Sequence, residues 1–380
     1  MERTLIPPWS GRPPSDRAVR TVDPHADPRW SAFVSSHPDG LVYHGVPWLS
    51  ALEREYGRQT LCLACEDAGG RLIGILPLVY ARGLPIRIEG QGRGRRLASL
   101  PRTPVAGPLA LDRAAGAALV AAAVDVTRGE PGLRLQLKVV GPKLEGLVEG
   151  LVGAAWRPTY VLKLPEDPER LRFGRSRNHR RISWALGKSE RSGVIVRAAE
   201  NEADLRAWYR LYLETMRTHA VPPRPYRFFV ALWELLRPAS QMQLLVAEQR
   251  TATTKRLVAG SIFLMLGQRV FYAFTGASRS DLALRPHDAI LWHAIHDACQ
   301  NGFRRLDLGE ATEDDRGLID FKRKWGAEPQ TLHRYFYPRL DGARGVMATG
   351  SRLRDVGGTI WRRLPLNATA VLGDWLYSRS

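Results

Sequence analysis

The stretch from residue 269 to residue 338 alternates strand and helix patterns, and this alternation most constrains the fold. In RVFYAFTGA every second residue belongs to the same predicted strand face. The two faces would carry Phe271, Ala273 and Thr275, and Tyr272, Phe274 and Gly276. Pro286 suits the first turn of a helix and Gly302 its end, with one apolar stripe between them. LDLG at 306–309 follows as a second strand, so the order strand, helix, strand predicts a mixed α/β fold.

A charged segment after this second strand is the predicted location of a catalytic site. Asp307 and Glu310 lie at the strand end, and the pair Phe321-Lys322 follows. Only seven of the 56 basic residues are lysines, so a lysine in this segment is conspicuous. We interpret the segment as an exposed loop and Lys322 as its catalytic cation. Lys324, two residues later, is expected to be nearly silent when substituted.

The length of 380 residues predicts two domains. We expect a loose lead-in over 1–28, a first domain over 29–162, a second over 163–338 and a basic amphipathic tail over 339–380. Asn201 is the predicted N-cap of the helix with which the second α/β unit opens. Helices and strands follow each other in similar order in both halves, which favours a duplicated α/β (α+β) unit.

The net charge of +18 favours polyanionic partners, although an arginine excess can also reflect genomic base composition. FGRSRNHRRISWALGKSERSG is a predicted basic helix. Its Arg177 and Arg181 either line a solvated surface or surround a phosphate-bearing substrate. A glycine-rich basic loop at 90–96 has the same two interpretations, phosphate binding or a surface turn.

Targeting and metal signals are weak. No apolar run reaches the roughly 20 residues of a membrane span, and the N-terminus lacks the apolar segment of a signal peptide, so we expect a cytoplasmic protein. The tail either packs on the body or lies on the inner face of the membrane.

Cys62 and Cys65 form C-x-x-C within a strand, where residues three apart point to opposite faces. No second cysteine pair completes a zinc site, so no metal is expected.

The LxLG-type strand followed by GLIDFKRKWGAEP resembles the signature of the Fem aminoacyltransferases, which build peptidoglycan interpeptide bridges. It equally resembles their FemAB-like acetyltransferase relatives in the GNAT superfamily. The resemblance covers roughly residues 41–338. It implies two tandem GNAT-like domains with mixed sheets flanked by helices. It also implies transfer of an acyl or aminoacyl group to an amine of a nucleotide- or lipid-linked cell-envelope precursor. Acyl-CoA or aminoacyl-tRNA would be a co-substrate, with no resident cofactor.

The same resemblance assigns individual residues. The Phe-Lys pair of the family falls on Phe321 and Lys322, and the lysine would stabilise developing negative charge. The remaining implied contacts are to the precursor, through Thr215, Arg217 and Tyr272, and to the co-substrate, through Arg285, His287 and Asp288. The last three belong to RSDLALRPHD, which stands where GNAT proteins carry Q/R-x-x-G-x-G/A. The coiled-coil arm of several Fem enzymes has no counterpart, so the donor stays open.

Acyl transfer to an amine requires a deprotonated amine, a positioned donor and a counter-charge for the oxyanion. Lys322 would supply the charge, and Tyr272 would donate to a carbonyl. Asp307, Glu310 and Glu313 would take the proton or hold the ammonium before attack. Structural roles for these residues, namely surface charge, strand-end hydrogen bonding and packing, remain alternatives. At the level of the whole protein the alternatives are a polyanion-binding protein and a non-catalytic scaffold for envelope polysaccharide assembly.

Overall fold

The computed structural model describes residues 17–81, 94–101, 103–171, 173, 176–338 and 358–378. Residues 90–93 of the glycine-rich loop lie outside these ranges. The chain forms two compact units, one of residues 1–156 with 331–350 and 379–380, the other of residues 157–330 with 351–378. The strand at 331–337 thus belongs to the first unit, whereas the sequence interpretation placed it at the end of the second domain.

The first unit contains a mixed sheet and three helices. Its helices are α1 Pro28–Ser36, α2 Val46–Tyr56 and α3 Arg113–Gly129. Its strands are β1 Ala18–Thr21, β2 Thr60–Glu66, β3 Leu72–Ala81, β4 Arg96–Ala98, β5 Leu109–Ala110 and β6 Arg134–Val140. The sheet order is β1-β2-β3-β4-β6 and then the last strand of the chain, with β5 beside β3. Residues 18–21 belong to the segment predicted as a loose lead-in. They form strand β1 because their backbone pairs with β2.

The core of the first unit forms where the Ala-rich helix α3 covers the sheet. Strands β2 and β3 pair antiparallel and form a hairpin that turns through residues 68–70. Both thiols of the C-x-x-C are buried in β2, and burial raises the pKa of Cys62 to about 12. A thiol held in its neutral form suits packing and disfavours metal binding or redox chemistry.

The second unit also contains a mixed sheet flanked by helices, which confirms the predicted α/β class. Its strands are β7 Val152–Lys163, β8 Val194–Ala198, β9 Met242–Arg250, β10 Lys255–Leu266, β11 Arg269–Ala277 and β12 Arg305–Glu310, with β13 Glu328–Tyr337 running on into the first unit. Its helices are α4 Ser176–Arg191, α5 Glu202–Thr218, α6 Tyr226–Leu235, α7 Pro286–Gln300, α8 Arg316–Lys324, α9 (358–363) and α10 Leu366–Ser378. The sheet order is β7-β12-β11-β10-β9-β8.

Local signals placed several of these elements correctly. Asn201 caps α5 by accepting a hydrogen bond from the Asp204 N–H. Pro286 occupies the first turn of α7, and the predicted apolar stripe of that helix is buried in the core of the second unit. Gly267, with φ of 57°, starts the two-residue turn between β10 and β11. Glycine adopts that backbone at the lowest steric cost.

Helix α5 packs directly on the sheet at Gly276 of β11. A Cβ built on Gly276 would lie 2.4 Å from the backbone nitrogen of Tyr212, far inside van der Waals contact. On the neighbouring strand, Gly260 leaves room for Trp208, whose indole N–H donates to the Gly260 carbonyl at 2.9 Å. The two glycines therefore set the distance between α5 and the sheet.

We expect Gly276→Ala to lower the free energy of unfolding by about 1–3 kcal/mol, the usual cost of overpacking. The clash is with helix backbone, which cannot rotate away. Gly317→Ala is the control, because Gly317 is exposed in α8 and its nearest neighbour would be a carboxylate oxygen 3.9 Å away. Its stability should be unchanged or slightly raised. Equal losses in urea denaturation of both variants would contradict the close approach of α5.

A β-bulge in β11 changes the predicted faces of that strand. Ile262 pairs with Phe274, but Phe263 pairs with Tyr272, so Ala273 is an extra residue. The alternation predicted from the sequence placed Tyr272 and Thr275 on opposite faces. The extra residue brings both onto the same face, so that part of the prediction is wrong. A strictly two-residue period cannot anticipate an inserted residue.

The parallel strands β11 and β12 separate towards their carboxyl ends. They pair over three positions, from Arg269 with Arg305 to Phe271 with Asp307, and not beyond. Helix α7 connects them, so its N-terminus lies at the same end as the opening. In open α/β sheets this is where ligands bind. We call this opening the β11/β12 cleft.

The C-terminal tail packs on the second unit along one side. Thr369 and Tyr377 of α10 are buried, and Arg227 of α6 forms a two-bond ion pair with Asp374 at 2.5 and 2.7 Å. Other apolar tail residues are exposed, among them Ile360, Val371, Leu372 and Trp375. Among the described residues, no helix combines the length and apolar character needed to cross a bilayer. Contact of the tail with a membrane stays a prediction.

Candidate active site

The end of β12 forms a sharp, tightly bonded bulge. Asp307 pairs with Val161 of β7 and Glu310 with Thr159, so two residues on β12 oppose one on β7. Gly309 has φ of 79°, which glycine tolerates. The buried Asp307 carboxylate accepts the Gly309 N–H at 2.8 Å and the Thr159 hydroxyl. Asp307 therefore fixes the backbone that leads to Glu310.

Lys322 holds the other side of this bulge. It lies in helix α8 and is only 3% exposed, so the predicted exposed loop is wrong at this residue. Its ammonium donates to the carbonyls of Gly309 and Glu310, at 2.8 Å each, and lies 5.5 Å from the centre of the Tyr160 ring. The Asp315 side chain caps α8 by accepting the Leu318 N–H. That cap was the missed sequence signal for the helix.

Burial shifts the pKa values of both ionisable groups of the bulge. It lowers the pKa of Lys322 to about 8, with partial compensation from the charges of Asp307, Glu310 and Asp315. It raises the pKa of Asp307 above the ordinary value, against the hydrogen bonds from Thr159 and Gly309. Desolvation disfavours the charged form in each case. Glu310 is half-buried at the strand end, where a carboxylate can accept a proton from solvent-accessible groups.

A polar cluster lies on the β11 side of the cleft, and the bulge at Ala273 creates it. The hydroxyls of Tyr272 and Thr275 each lie 3.4 Å from Nδ1 of His287 in α7. The Ser261 hydroxyl lies within hydrogen-bonding distance of both, at 3.2 and 3.1 Å. The surrounding protein desolvates the His287 ring and lowers its pKa to about 4. The imidazole is therefore neutral near pH 7. Its two ring nitrogens can donate one hydrogen bond and accept one, and the ring carries no fixed charge.

Thr215 and Arg217 lie apart from the polar cluster. The Thr215 hydroxyl accepts the Ala277 N–H at 2.9 Å, which ties α5 to the end of β11. Arg217 donates to the Leu364 carbonyl of the tail at 3.2 Å. Both side chains thus have structural contacts, and their predicted contact with a substrate stays a prediction.

Lys324 is a second buried lysine of α8. Its ammonium pairs with the buried carboxylate of Asp288 in the first turn of α7. A substitution of Lys324, expected from the sequence to be nearly silent, would therefore remove one member of a buried ion pair. Residues two apart on a helix face nearly opposite sides, so Lys322 reaches β12 while Lys324 reaches α7. Helix α8 is therefore anchored on both sides of the cleft.

Basic side chains of α4, α7 and α8 surround a cavity of about 440 Å³, which we call the basic pocket. It is lined by Arg177, Arg180, Arg181, Trp184, Ala185, Arg285 and Lys324. Arg181 is paired with Asp320 of α8 at 2.5 and 3.3 Å. The pocket thus unites two residues predicted for the substrate, Arg177 and Arg181, with Arg285, predicted for the co-substrate.

The sequence interpretation missed Trp184 and Lys324 as members of this pocket, whereas Arg180 belongs to the predicted basic helix. A signal was present, because residues 177, 180, 181, 184 and 188 follow the i, i+3, i+4, i+7 spacing of one helix face. Phe321 is half-buried and packs against the core of the second unit rather than lining the pocket. Within the described part of the chain, no group of three or more His, Cys, Asp or Glu side chains is arranged to hold a metal ion.

Comparison with known proteins identifies the fold. Residues 175–323 match the family model described as "Acetyltransferase (GNAT) domain". No curated protein sequence matches the chain. The crystal structure of FemX is similar, with a TM-score of 0.65 and 13% identity over 84% of this chain and 97% of FemX.

Two further solved structures show the same fold. A conserved protein of unknown function from Bacteroides thetaiotaomicron has a TM-score of 0.58 and 9% identity, over 84% of this chain and 98% of its own. The C-terminal domain of a protein described as a lysylphosphatidylglycerol synthetase from Agrobacterium fabrum has a TM-score of 0.53 and 15% identity, over 87% and 95%. Residues 175–323 therefore match an acetyltransferase domain of the GNAT type, and the chain shares the fold of these three solved structures.

Proposed function

We propose that this protein transfers an acyl or aminoacyl group to an amine of a cell-envelope precursor, and that the reaction takes place in the β11/β12 cleft. The observation that supports this most is the β12 bulge, where buried Lys322 and Asp307 fix the backbone at the mouth of the cleft. Two ionisable groups with opposite pKa shifts at a strand end are typical of catalytic sites. The match of residues 175–323 to an acetyltransferase domain supports acyl transfer as the reaction class, and the precursor is our own inference.

In the proposed reaction the amine nitrogen of the acceptor bonds to the acyl carbon of the donor. Glu310, half-buried beyond the bulge, takes the proton that the amine loses. The carbonyl oxygen becomes an oxyanion, and the bond from the acyl carbon to the sulfur or ribose oxygen of the donor then breaks. That leaving atom takes up the proton from Glu310. Asp307 acts through the backbone, because its carboxylate is occupied by Thr159 and Gly309.

Lys322 supplies preorganised positive charge to this reaction. Two of its three N–H bonds go to the Gly309 and Glu310 carbonyls, which leaves one for the oxyanion or for a bound water. A charge held in a buried site acts more strongly than one in water, because the low local dielectric screens it less. The hydroxyl of Tyr272 faces the same cleft from β11 and donates to the donor carbonyl.

The remaining predicted residues bind the substrates. Arg177 and Arg181 contact phosphate groups of the precursor, which is nucleotide- or lipid-linked. Arg285 and His287 contact the co-substrate, either acyl-CoA or aminoacyl-tRNA. Asp288 acts through Lys324, which it holds in the wall of the basic pocket. Thr215 and Arg217 line the acceptor side. We place the reaction in the cytoplasm at the inner face of the membrane.

The deciding experiment measures transfer to an amine acceptor by the purified protein, with acetyl-CoA in one series and with aminoacyl-tRNA in the other. Turnover with one donor and not the other assigns the donor. Absence of turnover with both donors, by a folded protein, would overturn the proposal. It would favour the alternative of a non-catalytic scaffold or polyanion-binding protein, for which the basic pocket gives specific support.

The pKa of Lys322 gives a pH prediction. We expect kcat to fall as pH rises through about 8, because the ammonium that the reaction needs loses its proton there rather than at the ordinary value of 10.5. The free energy of unfolding should instead rise with pH over this range. Between pH 8 and 10.5 the unfolded chain binds the proton and the folded chain does not, so this group makes folding more favourable as pH rises. A kcat that stays constant to pH 10, with circular dichroism unchanged, would contradict the role of the ammonium.

A further inference from the structure

A second cavity lies in the second unit, at the opposite end of helix α7 from the β11/β12 cleft. Its volume is about 400 Å³, within the range of small-molecule sites. It is lined by residues of β9, β10, β11 and α7 and by the segments that follow α6 and α7. Helix α7 has 15 residues, so at about 1.5 Å per residue its two ends lie about 22 Å apart. We call this cavity the α7-end pocket, and the proposed reaction does not use it.

The floor of the α7-end pocket is apolar. Three buried side chains of the sheet form it, those of Met242, Phe263 and Val270. On α7 the cavity is lined by Ala294 and Ala298, whose small side chains leave the space open. An apolar group that enters removes this surface from water, which favours binding. The methionine sulfur also makes favourable contacts with aromatic rings, so the floor suits a bulky apolar or aromatic group.

One carboxylate lines the same cavity. Asp297 is half-buried in the last turn of α7, where the helix dipole is negative, and no basic residue of that turn offsets it. Gln243 donates to its Oδ2 atom at 3.1 Å, and Nε2 of His293 lies 3.6 Å from the same oxygen. Among the described residues both contacts use Oδ2, so Oδ1 can accept from a ligand. The carboxylate and the helix end together favour a bound ammonium group.

One guanidinium lines the cavity as well. Arg237, just beyond α6, donates to the Glu200 carbonyl at 3.1 Å and lies 4.2 Å from the centre of the Trp233 ring. These contacts hold the side chain in place, and no carboxylate pairs with it within the described ranges. A guanidinium has five N–H donors, and its planar arrangement matches a carboxylate. The pocket therefore offers one group of each charge beside an apolar floor.

We propose that the α7-end pocket binds a small zwitterion with a bulky apolar body, the chemistry of an aromatic α-amino acid or of a dipeptide that contains one. Its ammonium binds Asp297, its carboxylate binds Arg237 and its ring packs on the floor formed by Met242, Phe263 and Val270. A zwitterion satisfies both charges at once. An amine without a carboxylate, or the reverse, leaves one charged side chain of the pocket without its partner.

The site does not depend on the proposed function. Its residues lie at the other end of α7 from His287 and Asp288, and binding is measured without turnover. A protein that binds the zwitterion and transfers no acyl group would overturn the proposed function and leave this site standing. A protein that transfers acyl groups and binds no zwitterion here would do the reverse.

The test is calorimetric titration of the purified full-length protein with L-phenylalanine and glycyl-L-phenylalanine. Phenethylamine lacks the carboxylate, 3-phenylpropionate lacks the amine and glycine lacks the ring. We expect at least one of the two zwitterions to bind about tenfold or more tighter than each of these three, because each lacks one charge-assisted contact or the apolar contact. The tighter of the two assigns the ligand as a free amino acid or a dipeptide.

The same titrations can overturn the proposal. No binding of either zwitterion at millimolar concentration would exclude the site. Binding of phenethylamine as tight as that of the better zwitterion would overturn the role of Arg237. Equally tight binding of 3-phenylpropionate would overturn the role of Asp297, and equally tight binding of glycine would overturn the role of the apolar floor.

Matched variants test the two charges in the protein. Asp297→Asn keeps the shape of the side chain and should weaken the better zwitterion by about tenfold or more, while 3-phenylpropionate binds no worse. Asp125→Asn is the control, because Asp125 is exposed near the C-terminal end of α3 and does not line the pocket. Arg237→Gln should weaken the zwitterion and leave phenethylamine unchanged. Arg210→Gln, exposed on α5, is its control. Equal effects of a variant and its control would overturn the assigned contact.

Discussion

Replacing Lys322 with methionine should lower kcat by about 10²–10³, the usual effect of removing one preorganised donor to an oxyanion. Methionine fills the same space but carries no charge and no N–H group. The Gly309 and Glu310 carbonyls lose their donor, so the backbone that carries Glu310 is also less firmly held. The measurement compares kcat of the variant and the wild type at pH 7 with the preferred donor and acceptor.

A second buried lysine provides the control for this variant. Lys138 in the first unit is buried too, and its ammonium also donates to two backbone carbonyls, those of Leu100 and Thr103, at 3.2 and 2.8 Å. Lys138→Met and Lys322→Met should each lose about 1–3 kcal/mol of stability, because buried acceptors are left unsatisfied. Only Lys322→Met should lose turnover. A wild-type rate in folded Lys322→Met would end the catalytic assignment.

The conservative variant Lys322→Arg should recover little of the activity. The guanidinium is wider and planar, and the pocket between the bulge and the Tyr160 ring is shaped for a compact ammonium. Arginine also keeps its charge above pH 8. Any remaining activity of this variant should therefore lack the decline above pH 8 that we expect of the wild type.

Replacing Lys324 with methionine should lower the free energy of unfolding by about 3–5 kcal/mol, because it leaves the buried Asp288 carboxylate without a partner. This is the reverse of the silent substitution expected from the sequence. Urea denaturation followed by circular dichroism measures the loss. The double variant Asp288→Leu with Lys324→Met removes both charges and should recover most of the stability.

The neighbouring ion pair gives the matched control. Arg181 and Asp320 also join α4 and α8 beside the basic pocket, but Asp320 is exposed and Arg181 is only half-buried. Arg181→Met should therefore cost no more than about 1 kcal/mol, since solvent screens the pair. If Lys324→Met were as mild as Arg181→Met, the Asp288 pair would not be buried in solution. A double variant less stable than Lys324→Met would show that Asp288 stabilises the fold without its partner.

The sequence by itself determined the order and type of most elements near the site. The apolar stripe of α7, the Asn201 cap and the glycine of the β10–β11 turn are local signals, because each depends on residues within one or two turns of chain. The Phe-Lys motif also pointed to the FemAB-like relatives. Hydrophobic periodicity and caps carry this information in any chain, since they reflect backbone geometry and burial.

Only the tertiary structure decided which side chains come together. The inserted residue Ala273 places Tyr272 on the face of β11 that lies against His287. The two-residue alternation of a strand sequence does not reveal an inserted residue. Lys322 and Lys324 lie in a segment rich in charge, which is why the sequence predicted exposure. Each is buried because it meets a partner far along the chain, the bulge carbonyls at 309 and 310 or Asp288. Such contacts offset the free-energy cost of removing a charge from water, and they form only when the strands and helices have packed.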